Sequence, residues 1–257
     1  MRYASRVIPF PATHRSVLER IQSEDAGVRR IAFGDLAEAY WRPSYHYLRL
    51  HWRLAPEATE DAVQAFFTAA FEKGYVEKYD ASKARFRTFL RLCLDRFVQN
   101  LQKAESAGKR GGGAAKLSLD FPGAERELVE VKSADLRDVD RFFRDETIRA
   151  LFSRSVDHLR RVCESEGKPK IFAVFERHDL APALETSYAT VARDLQLTVA
   201  QVTNYLHAAR KRFREIALTH LHDLVASEEE FRAEARELFG LDVGPHGAAP
   251  RNGERGE

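Results

Sequence analysis

Apolar residues recur at helical spacing along most of this chain, whereas runs of alternating β-branched residues are few. The clearest pattern covers about residues 57 to 73, where one continuous helical stripe is formed by Val63, Phe66, Phe67, Ala70 and Phe71. A half-buried strand would instead alternate apolar and polar residues. The sequence therefore predicts an all-α fold.

A second helical pattern, from about residue 84 to 104, combines an apolar side with a basic one. Its apolar side is formed by Phe86, Phe89, Leu90, Cys93, Phe97, Val98 and Leu101. Residues 82–116 include nine Lys and Arg against two acidic residues, although the net charge of the 257-residue chain is only +2. A nucleic-acid surface must therefore come from charge segregation. Beside this stretch, Tyr75, Tyr79 and Phe86 are the candidates for stacking on an unpaired base.

A glycine-rich segment, AESAGKRGGGAAK at 104–116, interrupts the helical pattern and contains no large apolar residue. It predicts two helical domains joined by a flexible linker. We place the N-terminal domain at 1–105, the linker at 106–140 and the C-terminal domain at 141–224. Residues 225–257 are predicted to form an amphipathic helix, interpreted as a cap on the second domain, and a disordered tail.

Residues 187–216 have the layout of two helices joined by a tight turn. Val191 and Leu195 would give the first helix its buried side, and Thr198 is the predicted N-cap of the second. The exposed face of that second helix would carry side chains suited to bases and phosphates, namely Gln201, Thr203, Asn204, His207, Arg210 and Lys211. Because Gln196 stands where such turns often have glycine, an ordinary helical hairpin with a basic end is the alternative interpretation.

An acidic and polar stripe lies beside the apolar stripe of the 57–73 helix and is formed by Glu57, Glu60, Asp61 and Gln64. Its spacing alone is typical of any solvated helix face. Catalytic carboxylates need a cleft, and the sequence has no phosphate-binding loop, metal-ligand cluster or nucleophile arrangement. We therefore expect no enzymatic activity, no cofactor and no metal site.

Two cysteines, Cys93 and Cys163, lie in apolar helical contexts without metal-ligand spacing, which favours a reducing compartment. No segment has the length and hydropathy of a signal peptide or a membrane span. The sequence predicts a soluble cytoplasmic protein without a membrane partner.

The order of these motifs resembles the extracytoplasmic-function (ECF) group of bacterial sigma factors over about residues 13 to 220. YWRPSYHYLR resembles the opening helix of the family, and PEATEDAVQAFF resembles its acidic polymerase-binding helix. FRTFLRLCLDRFVQN resembles the helix that melts and reads the upstream edge of the −10 element. A KRGGG linker followed by LSLDF, and then the helix-turn-helix, complete the order.

The resemblance implies a sigma factor that binds core RNA polymerase and directs it to promoter DNA. It implies a contact with the coiled-coil clamp of the largest polymerase subunit through Glu60, Asp61, Gln64 and Phe67. It assigns the −10 element to Lys83, Arg85, Phe86, Arg87 and Arg91. The −35 element would be read by the exposed face of the second helix in 187–216.

Two questions stay open at this level. A free-standing helix-turn-helix regulator, whose first half senses or dimerises, is the alternative function. An anti-sigma factor is a further candidate partner, and the extension after about residue 225 is a candidate contact for such an inhibitor or for polymerase.

Overall fold

The computed structural model describes residues 16–106, 119–131, 138–181 and 187–240. Over these ranges the chain forms ten α-helices and no β-strand, so the all-α prediction is confirmed. In chain order they are α1 (Val17–Ile21), α2 (Ala26–Leu50), α3 (Pro56–Glu72), α4 (Phe86–Ser106), α5 (Phe121–Val131), α6 (Val139–Ser165), α7 (Pro169–Phe175), α8 (Tyr188–Asp194), α9 (Val199–Asp223) and α10 (Glu228–Phe239). A 3₁₀ turn, Val76–Lys78, follows α3, and a π-helical turn, Glu176–Leu180, follows α7.

The described residues form two compact units whose boundaries fall inside α6 and α9. The first unit runs up to Ala150 and resumes at Leu221, and the second spans Leu151–His220. These positions differ from the predicted boundaries, because the two long helices each contribute to both cores. Phe143 of α6, for example, packs edge-on against Tyr47 at 5.7 Å in the first unit.

Helix α5 lies within the segment 106–140 that the sequence predicts as linker. Its Phe121 packs edge-on against Trp41 of α2, with ring centroids 5.4 Å apart. Glu125 accepts hydrogen bonds from Tyr45 at 2.7 Å and from Arg49 at 2.7 and 2.8 Å. Pro122, which reads as a helix breaker, is tolerated because it lies in the first turn, where its missing N–H is not needed. The glycine run of the predicted linker lies outside the described residues.

The core of the first unit depends on one row of α4. This row has four-residue spacing and consists of Phe86, Leu90, Leu94 and Val98, each at most 2% exposed. Leu94 was missing from the predicted apolar side, and Phe89, Cys93 and Phe97 are only partly buried. The buried row is therefore rotated toward Leu94 relative to the predicted stripe, and it brings Arg91 into the interior.

The second unit contains the predicted helix-turn-helix. Its inner side is formed by Val174, Val191, Ala192, Val202 and Leu206, with Leu195 and Leu197 packed against them. A neighbouring cluster joins α6, α7 and α9 through Val156, Leu159, Cys163, Ile171, Phe172, Phe175 and Ala209. These two clusters fix α8 and α9 and leave the other side of α9 exposed.

Candidate nucleic-acid interface

Helix α3 presents the predicted acidic face to solvent. Glu57 and Asp61 are exposed, and Glu60 and Gln64 are partly exposed, whereas Val63 on the opposite side is fully buried. Pro56 opens the helix, and Glu57 in its first turn is favoured by the helix dipole. The face can therefore meet a positively charged partner without any rearrangement of α3.

Phe67 was predicted to contact polymerase together with the acidic face of α3, but its side chain lies in the core. It is 1% exposed and packs against Phe66 at 5.2 Å and Phe33 at 6.5 Å between ring centroids. In this structure Phe67 thus has a packing role, and its predicted contact with polymerase would require a change in the core. The exposed aromatic side chain of α3 is that of Phe71, although the apolar stripe of the sequence predicts that Phe71 is buried.

Lys83 lies at the edge of the predicted −10 surface. Its side chain is 80% exposed, and its ammonium group lies 2.9 Å from Asp80. Hydrogen bonds from Ser82 and Lys83 lower the pKa of Asp80 to about 2. Asp80 thus stays ionised and orders the turn before α4, while Lys83 remains accessible to a phosphate.

Arg85 and Arg87 are paired with carboxylates of α10. Arg85 Nη1 lies 2.9 Å from Glu234 and 2.5 Å from Glu237, and Arg87 bonds Glu234 and lies 3.8 Å from Glu237. Glu237 also accepts a hydrogen bond from Arg144 at 2.8 Å. The hydrogen bond from Arg85 lowers the pKa of Glu237, opposed by partial burial and aided by Arg144. These arginines therefore already bind anions within the chain.

The backbone of Phe86, rather than its ring, faces the same anionic group. Its N–H, at the start of α4, donates to Glu230 at 3.1 Å. The ring is fully buried and packs edge-on against Tyr40 at 5.6 Å and Tyr79 at 5.0 Å. In this structure the ring has no face open to a base, so the predicted stacking by Phe86 would require the ring to leave the core.

Arg91 is also unavailable to DNA in this structure, because its side chain is 8% exposed. It donates to Asp95 at 2.7 Å and to Asp140 at 2.8 Å. Asp95 accepts two further hydrogen bonds at 2.9 Å, from Tyr47 and Trp52. In this structure Arg91 thus has a structural role, since with Asp95 it joins α4 to α6 and to the end of α2, and the predicted −10 contact would require its ion pairs to break.

The turn between α8 and α9 is built as the sequence predicts. Thr198 Oγ1 accepts from the backbone N–H of Gln201 at 3.1 Å, and Gln201 Oε1 accepts from the N–H of Thr198 at 2.9 Å. This reciprocal capping box confirms Thr198 as the N-cap of α9. Gln196 occupies the left-handed region with φ of +52°, which explains why glycine is common at that place.

The predicted recognition residues of α9 are all exposed, but they differ in their engagement within the second unit. Gln201 is held in the capping box, and the Thr203 hydroxyl donates to Val199 O at 3.0 Å. Arg210 forms a two-pronged ion pair with Asp179 at 2.7 and 2.8 Å. Burial would raise the pKa of Asp179, but hydrogen bonds from Arg210 and His178 lower it. Asn204 and His207 lie at the centre of this exposed face.

Sequence reasoning missed Arg144 and the carboxylates of α10 as members of the first unit's charged site. Arg87 and Glu234 are 147 residues apart, so no local pattern links them. The available signal was the acidic segment SEEEFRAEARELF, whose charge opposes that of the basic stretch. The structure places α10 in the first unit, whereas the sequence favoured a cap on the second.

Comparison with known proteins gives a family. The family model described as ECF sigma factor matches residues 49–208, which is more than half of the chain. Neither the curated proteins nor the solved structures contain a significant match. The matched range includes α3, α4, α8 and the first part of α9, and it ends before Arg210 and before α10. None of the described helices is long and apolar enough to cross a membrane.

Proposed function

The chain belongs to the ECF sigma factor family, and we propose that its first unit binds core polymerase and the −10 element while its second unit binds the −35 element. Membership makes it a sigma factor of transcription initiation, with core RNA polymerase and promoter DNA as partners. One observation supports the division of labour. Asp61 and Asn204, in different units, are each exposed on a helix whose opposite side is buried core.

Polymerase binding is assigned to the exposed face of α3. Glu57, Glu60 and Asp61 concentrate negative charge there, and Gln64 adds an amide that can donate and accept. A face of one sign steers association with a surface of the opposite sign and fixes the docking register. Phe67 supports this face from beneath by holding α3 in the core.

Reading of the −35 element is assigned to the exposed face of α9. An α-helix fits the major groove, where the amide of Asn204 can pair with adenine and His207 can reach a base edge or a phosphate. Lys211 and Arg214, both exposed, would contact phosphates. Arg210, oriented by Asp179, would approach the backbone in a fixed direction.

Binding of the −10 strand is assigned to the start of α4 and the turn before it. Lys83, Arg85 and Arg87 provide charge, and Tyr79, which is partly exposed, provides a ring for an unpaired base. Each unit alone makes a small contact with DNA. Affinity is expected mainly in the holoenzyme, because polymerase would present both units to one promoter at high effective concentration.

The test is the charge reversal Asp61→Arg, measured as the affinity of the purified chain for core polymerase. We expect a loss of at least about 10-fold, since opposite charges are replaced by like charges. Glu38→Arg is the matched control, because Glu38 is exposed on α2 and the change in net charge is identical. A regulator that acts without polymerase would bind its DNA tightly and would be insensitive to Asp61→Arg, and that result would overturn the proposal.

A further inference from the structure

Helix α10 carries three carboxylates on one side, Glu230, Glu234 and Glu237, which we call the acidic face of α10. Their spacing of four and three residues places them on one stripe of the helix. The stripe meets Arg85, Arg87, Arg144 and the first N–H of α4, which we call the cationic site. Both belong to the first unit.

One ion pair between these two surfaces, that of Arg87 with Glu234, is largely removed from solvent, whereas Arg85, Arg144 and Glu237 are partly exposed. The side chain of Glu234 is only 4% exposed and that of Arg87 is 13% exposed. A carboxylate buried to this extent requires a charged partner, because desolvation of an unpaired charge is costly. The arginines are therefore part of the docking site of α10, not chance surface neighbours.

The carboxylate of Glu230 lies at the N-terminus of α4, a position that favours anions. It accepts from the N–H of Phe86 at 3.1 Å, and its other oxygen lies 3.4 Å from the Tyr79 hydroxyl and 3.0 Å from the N–H of Ala226. Helix N-termini attract phosphates and carboxylates alike, since unpaired N–H groups point outward and the dipole is positive there. One oxyanion at this position excludes another.

Apolar contacts hold α10 in this orientation. Phe231 is 1% exposed and Ala235 is fully buried, and the Phe231 ring packs edge-on against His222 at 5.6 Å. Ser227 caps the first turn by accepting from the N–H of Glu230, and Gly240 ends the helix with φ of +62°. Helix α10 is thus a defined, docked element with both ends specified.

We propose that α10 is an intramolecular competitor for the −10 strand, so that the promoter strand binds the cationic site only after α10 has been displaced. The inference rests on the proposed function, because Arg85 and Arg87 are the residues assigned there to the strand. Carboxylate and phosphate oxygens are bound by the same arginine and helix-terminus geometry. The two anions therefore cannot occupy the cationic site together, and α10 closes it while the strand is absent.

The consequence for affinity is quantitative. When only a fraction of molecules has an open site, the apparent dissociation constant for the strand rises in inverse proportion to that fraction. Neutralising the acidic face of α10 raises the open fraction and tightens strand binding. Conversely, binding of the strand releases α10, because the two equilibria are linked.

The experiment compares binding of a fluorescein-labelled, mixed-sequence DNA strand of about 20 nucleotides to full-length variants at low salt, measured by anisotropy. The double variant Glu234→Gln with Glu237→Gln is expected to bind about 10-fold more tightly than wild type, as for a largely closed site. The pair Glu228→Gln with Glu229→Gln is the control, since it changes net charge equally on the same helix. Glu237→Lys, at a side chain that is 31% exposed, gives a second opening variant that leaves the buried carboxylate intact.

Two further measurements link the gain to the cationic site. Adding Arg85→Ala to the double variant is expected to abolish its gain. Hydrogen exchange of backbone amides in α10 of the wild-type chain is expected to accelerate when the strand is added.

The contrary outcomes are distinguishable. If wild type and both opening variants bind equally and Arg85→Ala weakens all of them, the strand site stands and competition by α10 is refuted. If Arg85→Ala has no effect in any background, the assignment of the −10 strand to this surface fails, and the inference fails with it.

Discussion

At the scale of single residues, burial and ion pairing distinguish basic residues that the sequence pattern does not separate. Lys83 is a solvent-exposed cation, Arg85 and Arg87 are bound to α10, and Arg91 is held inside the first unit. All four lie within nine residues and all were predicted to face DNA. The difference follows from how α6 and α10 pack against α4 and the turn before it, a property of the folded unit.

Replacement of Arg91 tests its structural role. Arg91→Ala removes the guanidinium partner of Asp140 and of Asp95, whose side chain is only 17% exposed. We expect a loss of about 3 kcal/mol in the free energy of unfolding, as for a broken buried ion pair. Urea denaturation measures it, with Arg96→Ala at an exposed position of α4 as the control, expected within about 0.5 kcal/mol of wild type. An equally small change for Arg91→Ala would refute the structural role.

At the scale of elements, helix type was predictable wherever an apolar stripe was long. Helices α3 and α4 and the pair α8 and α9 agree with their patterns, because helical periodicity and the Thr198 cap are local properties. Helix α5 was missed because it is short and contains Pro122 and Gly123. Its position depends on the docking of Phe121 and Glu125 on α2, which no local pattern encodes.

The turn between α8 and α9 gives a prediction at this scale. The left-handed backbone conformation of Gln196 is strained for a residue with a Cβ atom, whereas glycine adopts it without this strain. Gln196→Gly is therefore expected to stabilise the second unit by about 0.5–1 kcal/mol, and the β-branched Gln196→Val to destabilise it. Thermal unfolding measures both, and a destabilised glycine variant would contradict the strain argument.

At the scale of the whole molecule, stability is coupled to pH through a buried histidine of the second unit. Ser155 donates its hydroxyl to Leu151 O at 2.7 Å, so it accepts from Nδ1–H of His220 at 3.1 Å. Nε2 of His220 is then the acceptor for Nδ1–H of His158 at 3.0 Å. This chain of hydrogen bonds requires a neutral His220.

Acid should therefore weaken the fold before carboxylates titrate. Burial, followed by the charges of Arg154, His158 and Arg161, lowers the pKa of His220 from 6.5 to about 3. In the unfolded chain His220 binds a proton near pH 6.5, whereas in the folded chain it stays neutral at that pH. The free energy of unfolding therefore falls as the pH decreases below about 6.5. Between about pH 7.5 and about pH 5.5 we expect a loss of about 1.4 kcal/mol.

Thermal or urea unfolding across this pH range measures the loss. His220→Gln removes the titration and is expected to flatten the pH dependence, even if it lowers stability at neutral pH. His207→Gln, at an exposed histidine of the same helix, is expected to leave the slope unchanged. Equal slopes for wild type and His220→Gln would exclude His220 as the source.

The local amino-acid sequence was sufficient to predict the all-α class, the acidic face of α3 and the capped helix-turn-helix. Each of these features depends on residues within a few helical turns of one another. The tertiary structure decided which charged residues are buried and which form ion pairs. Arg91 entered the core, Arg210 paired with Asp179, and Arg87 paired with Glu234 from the other end of the chain. Periodicity specifies the face on which a side chain lies, whereas its partner depends on how separate helices pack, and long-range packing leaves no periodic trace in the sequence.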